Sequence, residues 1–199
     1  MNKPEGYDDA QAMGDYTPID LGGHYCIIKG VKETQTKNGK PMIVVCFDFC
    51  KPDKQPEYFM QEFKDDTRPD KKWPHTGTAY IMTQDYQDAN KTSRNFKTFC
   101  TAVEKSNNYA INWDDNWGDH WGDQFKGKKI GAVFGEVENE YNGKRSMRHE
   151  LRWFCQWDKV EGAAVPKAKY LPNSTHAATT TNPDGFMAIP DTADDDVPF

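Results

Sequence analysis

A stretch near the end of the chain, residues 144–157, alternates between two kinds of side chain. Period-two alternation predicts a β-strand that turns one set toward the core, here Met147, Leu151, Trp153, Cys155 and Trp157. The other set then faces outward and places Arg148 and Arg152 beside Phe154. Bases stack on aromatic rings and guanidinium planes, and cations neutralise phosphates, so this face predicts a nucleic-acid surface. A solvated strand face with one stray phenylalanine remains the alternative.

Two Asn-Gly pairs, Asn38-Gly39 and Asn142-Gly143, each lie between two β-rich runs. Asn-Gly is typical of tight hairpin turns because both residues tolerate a positive φ. Cations surround both turns, and we expect them to contact phosphates: Lys29, Lys32, Lys37 and Lys40 at the first, Lys144 and Arg145 at the second. Such lysines are also common for solubility alone.

Two aromatic residues, Trp73 and Tyr80, lie in and after the polar segment 51–75. Four prolines break this segment, so it is predicted to be a long irregular loop. We expect both rings to stack on bases, although they could instead cover the core. Phe47 and Phe49 are predicted to be core residues, because the second strand is apolar on both parities.

The elements that must position these residues follow one another as hairpin, third strand (76–84), helix (90–107) and second hairpin. In the helix Phe96, Phe99, Cys100 and Val103 fall at i, i+3, i+4 and i+7, which is one helical face. This order predicts a mainly β fold, a five-stranded OB-fold barrel with one helix between strands three and four. An SH3-like barrel is the main rival, and the position of the helix favours the OB-fold.

The charge of the chain is divided between its ends and its middle. Residues 1–20 and 161–199 each carry a net charge of −4, whereas residues 21–160 carry 22 basic and 20 acidic residues, a net of +2. The ends lack periodicity. We therefore expect a flexible lead (1–20), an OB-fold domain (21–160), a disordered linker (161–193) and an acidic end (194–199).

Residue types for catalysis or metal binding do not fall at the spacings that those chemistries need. The five cysteines form no CxxC pair, the five histidines are scattered, and no phosphate-loop or nucleophile motif is present. We expect no enzymatic activity, no cofactor and no metal. The segment around Trp113, Trp117 and Trp121 is predicted to be a helical turn packed on the barrel. A magnesium-dependent nuclease using Asp114, Asp115 and Asp119 is the catalytic alternative.

The last six residues, "DDDVPF", combine three acids with an aliphatic residue, proline and phenylalanine. A peptide of this kind can be captured by a partner with an apolar pocket and a basic rim. The segment, Asp194, Asp195, Asp196, Val197, Pro198 and Phe199, resembles the C-terminal tip of bacterial single-stranded DNA-binding proteins. The polar loop, the Trp-rich segment and "FKGKKIGAVFGEVENEYNGK" resemble bacteriophage-encoded members of that class. The resemblance implies that the tip recruits enzymes of replication, recombination and repair.

The sequence therefore predicts a protein that binds single-stranded DNA without sequence specificity and docks partner enzymes through residues 194–199. A homo-oligomer is an open possibility. The alternative is an adaptor or inhibitor that captures a host enzyme through the tip and does not touch DNA. The sequence has no apolar run of the ~18 residues that span a membrane, and its acidic start does not resemble a signal peptide. We therefore expect the protein to be cytoplasmic, in the cytoplasm of the bacterial host if a phage encodes it.

Overall fold

The computed structural model describes residues 3, 4, 7 and 17–172 and, within that range, only the backbone of residues 115–119. Five antiparallel strands form one sheet in the order β3-β2-β1-β4-β5. The strands are β1 (Gly22–Gln35), β2 (Pro41–Phe49), β3 (Thr78–Met82), β4 (Lys129–Tyr141) and β5 (Lys144–Cys155). The mainly β prediction is confirmed. The sheet is open, with β3 and β5 at its edges in the part of the chain that the structure describes.

Strand β1 is the centre of the sheet because it pairs with two different partners along its length. Residues Gly22–Ile27 pair with β4 and residues Cys26–Gln35 pair with β2, so Cys26 and Ile27 have both partners. The β1–β2 register shifts between Ile28 and Gly30, so Lys29 is an extra residue at a bulge. A bulge bends the strand and increases its twist. The bend lets one strand serve both parts of the sheet.

The two hairpin turns differ in type. At the second turn Asn142 and Gly143 both have positive φ, 51° and 73°, as predicted for a two-residue turn. At the first turn only Gly39 has a positive φ, 75°, and Thr36 and Lys40 form the closing backbone hydrogen bond. The first turn is therefore a three-residue loop with the glycine in the left-handed position.

Helix α2 (Arg94–Asn107) lies between β3 and β4, and its buried face is the predicted one. A second helix, α1 (Tyr58–Asp65), was not predicted, because residues 51–75 are polar and rich in proline. Its N-terminus is held from a distance: Oδ1 of Asp48 in β2 accepts the backbone N–H of Phe59 at 2.9 Å. A capping residue that lies eleven positions before the N–H group it accepts leaves no local sequence signal.

The Trp-rich segment forms a 3-10 helix over Asp115–Phe125, close to the predicted helical turn. It packs against β1: a Cβ on Gly122 would lie 2.1 Å from the carbonyl oxygen of Val31. Trp121 is buried, whereas Trp113 is exposed and lies 5.3 Å from it between ring centroids. Only one of these two described tryptophans therefore belongs to the core.

The core lies between the inner face of the sheet and α2. Aromatic rings dominate it, and Phe47 and Phe49 are both buried as predicted. Phe47 contacts Phe154 edge-on at 5.4 Å, and Phe154 contacts Phe99 of α2 at the same distance. All five cysteines are free thiols. No helix among the described residues is long and apolar enough to cross a membrane.

Segments on both sides of the sheet extend the contacts beyond residues 21–160. Ile19 is buried, and its carbonyl oxygen meets the ring of His149. After β5, residues 163–171 run back along β4: Lys169 forms a parallel bridge with Val137, and Leu171 donates to the carboxylate of Glu138. We call this segment the strap. It lies beside the C-terminal part of β4, which extends past β1.

Candidate nucleic-acid interface

The outward side of β1, β2 and β3 forms a continuous surface, which we call the outer face. Successive residues of each strand alternate, and the opposite parity (for example Val31, Val45 and Ala79) is buried in the core. The outer face consists of Gly30, Lys32, Thr34, Met42, Val44, Cys46, Thr78, Tyr80 and Met82. Seven of these nine residues are half-buried, whereas Lys32 and Tyr80 are exposed. The result is an apolar floor with one exposed ring, which has the His75 ring beside it at 6.1 Å between centroids, and one exposed cation.

Lys32 and Tyr80 belong to the same row of the sheet. Lys32 pairs with Val44 of β2, and Val44 pairs with Tyr80 of β3. Two strand spacings put their backbones roughly 10 Å apart. Tyr80 is 56% exposed, so its ring can accept a stacked base. The sequence prediction named both residues, and the structure brings them together.

At the turn end of the outer face, Lys40 packs against an aromatic residue that the sequence analysis did not single out. Its Nζ lies 4.0 Å from the centroid of the Tyr86 ring and donates to the Tyr86 carbonyl oxygen at 3.2 Å. Tyr86 is 59% exposed. Lys37 is exposed in the adjacent turn. This end of the face thus carries two cations and a second exposed ring.

Lys29 is at the bulge in β1 and has a buried partner. Its Nζ is 3.6 Å from Oδ2 of Asp48, a carboxylate that is completely buried. Oδ1 of Asp48 accepts the backbone N–H groups of Phe49 and Phe59, whereas Oδ2 has no hydrogen-bond partner among the described residues. Burial raises the pKa of Asp48, and the two N–H groups and Lys29 offset this only in part. Lys29 therefore neutralises an internal charge, which reduces what it offers to a phosphate.

The predicted outward orientation of Phe154 is wrong. Phe154 is 5% exposed and packs on Phe47 and Phe99, whereas Trp153 is 44% exposed. The cause is a second register shift: Val133 pairs with Trp153 but Phe134 pairs with Leu151, which leaves Arg152 as an extra residue. One inserted residue moves every following side chain of the strand to the opposite face of the sheet.

Trp73 is held by two hydrogen bonds. Its indole N–H donates to the carbonyl oxygens of Phe47, at 3.2 Å, and Gly77, at 3.0 Å. The ring is half-buried and lies against Phe63 at 5.6 Å. It covers the core beside β3, which was the alternative considered from sequence.

The three predicted arginines lie on β5, away from the first turn. Because β4 is antiparallel to β1, the second turn extends past the N-terminal end of β1, whereas the first turn follows its C-terminal end. Arg145 donates to Glu140 at 3.0 Å, Arg148 is exposed, and Arg152 donates to the carbonyl oxygen of Lys167 in the strap at 3.2 Å. In the strand order, β4 separates them from Lys32 on β1, and β4, β1 and β2 separate them from Tyr80 on β3.

A buried polar cluster supports the loop that follows β2. The carboxylate of Asp53 accepts the backbone N–H groups of Tyr25 and Gln55 and contacts the ring of His24 at 3.2 Å. Burial opposes the charge of Asp53, but these hydrogen bonds outweigh it and lower its pKa. The cluster joins the start of β1 to the end of β2.

No group of three or more His, Cys, Asp or Glu side chains is placed to hold a metal ion within residues 17–172, apart from the undescribed side chains of 115–119. Two of the three candidate nuclease aspartates, Asp115 and Asp119, fall in that gap. The predicted tip, residues 194–199, also lies outside the described residues.

No family model matches the chain, and no curated protein is significantly similar to it in sequence. The geometry of the outer face and the sequence itself therefore carry the evidence for a function.

Proposed function

We propose that this protein binds single-stranded DNA, without sequence specificity and without catalysis, on the outer face of β1, β2 and β3. The observation that carries the proposal is the row formed by Lys32, Val44 and Tyr80, which sets an exposed ring and an exposed cation on a half-buried apolar floor. Bases stack on such rings whatever their identity, and the cation tracks the phosphates.

The apolar floor favours a single strand over a duplex. The side chains of Met42, Val44 and Met82 can contact the unstacked faces of bases, but they carry no group that binds a phosphate. In a duplex the base faces are stacked on one another and are not accessible. Lys37 and Lys40 at the adjacent turn then contact phosphates at one end of the bound strand.

We further propose that the sheet is an OB-fold barrel. The order β3-β2-β1-β4-β5 places β3 and β5 at the two edges, and a barrel needs only the pairing of those edges. Helix α2 between β3 and β4 supports the same fold. In this fold the strand 2–3 surface and the loop after strand 1 take part in oligonucleotide binding, which agrees with the outer face, whereas the loop after strand 4 lies away from it.

Residues 194–199 are proposed to bind partner enzymes. Their resemblance to the tip of bacterial single-stranded DNA-binding proteins supports recruitment of replication, recombination or repair enzymes by a bacteriophage-encoded protein. The acids would meet a basic rim of the partner, and Val197 and Phe199 would enter an apolar pocket.

The test is an anisotropy titration of a labelled oligo-dT and of a labelled duplex with the purified protein, at low and at high salt. We expect the single strand to bind more tightly than the duplex and to bind less tightly at high salt, because phosphate neutralisation releases counterions. Tighter binding of the duplex would overturn the proposed face. An absence of binding to both would leave the adaptor function.

A further inference from the structure

Strand β5 forms one edge of the sheet. It runs for 12 residues, Lys144–Cys155, and its backbone pairs with β4 alone in the part of the chain that the structure describes. A free edge presents a row of N–H and C=O groups that can pair with a strand of another chain. The first residue of β1, Gly22, pairs with Phe134, which pairs with Leu151. Residues 144–151, which we call the β5 arm, therefore lie beyond the part of the sheet that β1 joins.

The turn before β5 determines which backbone groups of the arm face the free edge. Asn142 and Gly143 form a two-residue turn, and Tyr141 pairs with Lys144. In such a hairpin this pair is hydrogen-bonded, and residues that bond to the partner strand alternate with residues that do not. Every second residue therefore turns its N–H and C=O away from β4, and in the arm these residues are Arg145, Met147, His149 and Leu151.

The β5 arm carries two opposite charges on one face. Arg148 is exposed and Glu150 is half-buried, and neither forms a salt bridge with another of the described residues. The residues opposite them on β4, Val137 and Gly135, are uncharged. The other face of the arm is apolar at Met147, which is 38% exposed. An ion pair for each charge must therefore come from another molecule.

We propose that two copies of this chain associate by antiparallel pairing of their β5 arms, around a two-fold axis at His149. This register sets Arg148 of each copy opposite Glu150 of the other, so two ion pairs form. It also sets Met147 opposite Leu151, and the residues that it joins by hydrogen bonds are those whose backbone groups face the edge. A contact of this kind uses the same surface on both copies and closes as a dimer.

Other registers place the charges of the arm less favourably. An axis at Arg148 would set the two arginines opposite each other, and an axis at Glu150 would do the same with the two glutamates. Like charges directly opposite destabilise a strand pair. An axis at Met147 would leave Arg148 opposite the uncharged Ser146. An axis between two residues would oppose an edge-facing residue to one that faces β4, which an antiparallel pair does not allow.

The dimer is compatible with the barrel and with the outer face. Phe154 enters the core beside Phe99, after the extra residue Arg152. Closure of the barrel concerns this end of β5, and the arm before it stays available. Because β4 and β1 separate the arm from the outer face, the dimer would hold two outer faces that one long single strand could contact. This consequence rests on the proposed DNA binding, whereas the dimer itself does not.

The test is charge reversal in the full chain, measured by size-exclusion chromatography with light scattering over a wide range of protein concentration. We expect a dimer whose dissociation constant rises about tenfold in Arg148→Glu and in Glu150→Arg, because each change sets like charges opposite each other twice. Arg148→Glu/Glu150→Arg inverts both pairs and should restore association. Arg94→Glu makes the same charge change at an exposed position of α2 and should have no effect.

A backbone variant tests the edge independently of charge. Met147→Pro removes an N–H that faces the free edge and leaves the hydrogen bonds to β4 in place, so it should weaken the dimer. Urea unfolding of each variant at a concentration where the protein is monomeric checks that the fold is intact.

Three results would overturn the inference. A monomer at every concentration would leave the edge of β5 to a strand of a different protein. Equal effects of Arg148→Glu and Arg94→Glu would place the contact between copies on another surface. Failure of Arg148→Glu/Glu150→Arg to restore association, with unchanged urea unfolding, would exclude the register. None of these measurements involves DNA, so their failure is distinct from a failure of oligo-dT binding at the outer face.

Discussion

The ammonium group of Lys29 lies 3.6 Å from Oδ2 of Asp48, and the two residues meet at the bulge of β1. Asp48 uses its other oxygen to hold the first turn of α1. The pair therefore links the strand at the centre of the sheet, a buried carboxylate and the helix that covers β2. An unpaired buried charge is costly, so neither partner is expected to be removable without consequence.

Asp48 should make the protein less stable as the pH rises. Burial raises its pKa above the ordinary value near 3.8, so the folded state binds the proton more tightly than the unfolded state. The free energy of unfolding then falls as the pH rises from about 3.8 through the folded pKa. In Asp48→Asn this dependence should be lost while the cap oxygen remains. Urea unfolding across pH 4–8 measures the difference.

The matched variant Asp48→Ala also removes the cap. It leaves the N–H groups of Phe49 and Phe59 without their acceptor, and we expect a loss of about 2–4 kcal/mol at neutral pH. Equal pH profiles for Asp48→Asn and the unmodified protein would show that the carboxylate carries no such penalty.

Asp53 should have the opposite effect and make the protein more stable as the pH rises. Hydrogen bonds from His24, Gln55 and Tyr25 lower its pKa, so its stabilisation is present above the ordinary value near 3.8 and is lost as the pH falls through the folded pKa. We expect Asp53→Asn to destabilise the protein by about 1–3 kcal/mol at pH 7. The gap should narrow below pH 3.8 in denaturant unfolding, whereas Asp70→Asn, at an exposed loop position, should show no gap at either pH.

Tyr80 should be the most important stacking residue of the outer face. Loss of one base–aromatic stack is worth about 1–3 kcal/mol, so Tyr80→Ala should weaken oligo-dT binding about tenfold. Tyr80→Phe keeps the ring and should bind almost normally. Tyr141→Ala is the control, because Tyr141 is 71% exposed at the second turn. Equal weakening by Tyr80→Ala and Tyr141→Ala in anisotropy titrations would contradict the proposed face.

Lys32 should be visible in the salt dependence of binding. Each neutralised phosphate of a single strand contributes about 0.7 to the slope of log K against log salt. Lys32→Ala should therefore reduce the slope by about 0.7 and lower the affinity at low salt. Lys54→Ala, an exposed lysine of the β2–α1 loop, should change neither quantity. An unchanged slope for Lys32→Ala would place the phosphates elsewhere.

The reversed parity at the end of β5 can be measured as a stability difference. Phe154 is buried among Phe47 and Phe99, so Phe154→Ala should cost about 3–5 kcal/mol of unfolding free energy. Trp153 is 44% exposed, so Trp153→Ala should lower the unfolding free energy much less. Urea unfolding of the two variants compares neighbouring residues directly, and a larger loss for Trp153→Ala would restore the alternation predicted from sequence.

Local patterns in the sequence were sufficient for the strands, the second turn and the buried face of α2. Apolar periodicity reports which side of a regular element is buried, and Asn142-Gly143 adopts the backbone angles that its residue types favour. Helix α1 was beyond this reasoning, since its cap comes from Asp48 in another element. The pairing of Lys40 with Tyr86 was also beyond it, because 46 residues separate the two.

The sequence by itself determined the order of the five strands and α2, the division of charge and the chemistry of residues 194–199, because these depend only on residue types and spacing. Tertiary structure alone decided which side chains share a surface. The extra residue Arg152 turned Phe154 inward, and strand pairing across Val44 placed Lys32 in the row of Tyr80. Bulges and strand registers depend on the partner strand, and a single strand's sequence does not contain that information.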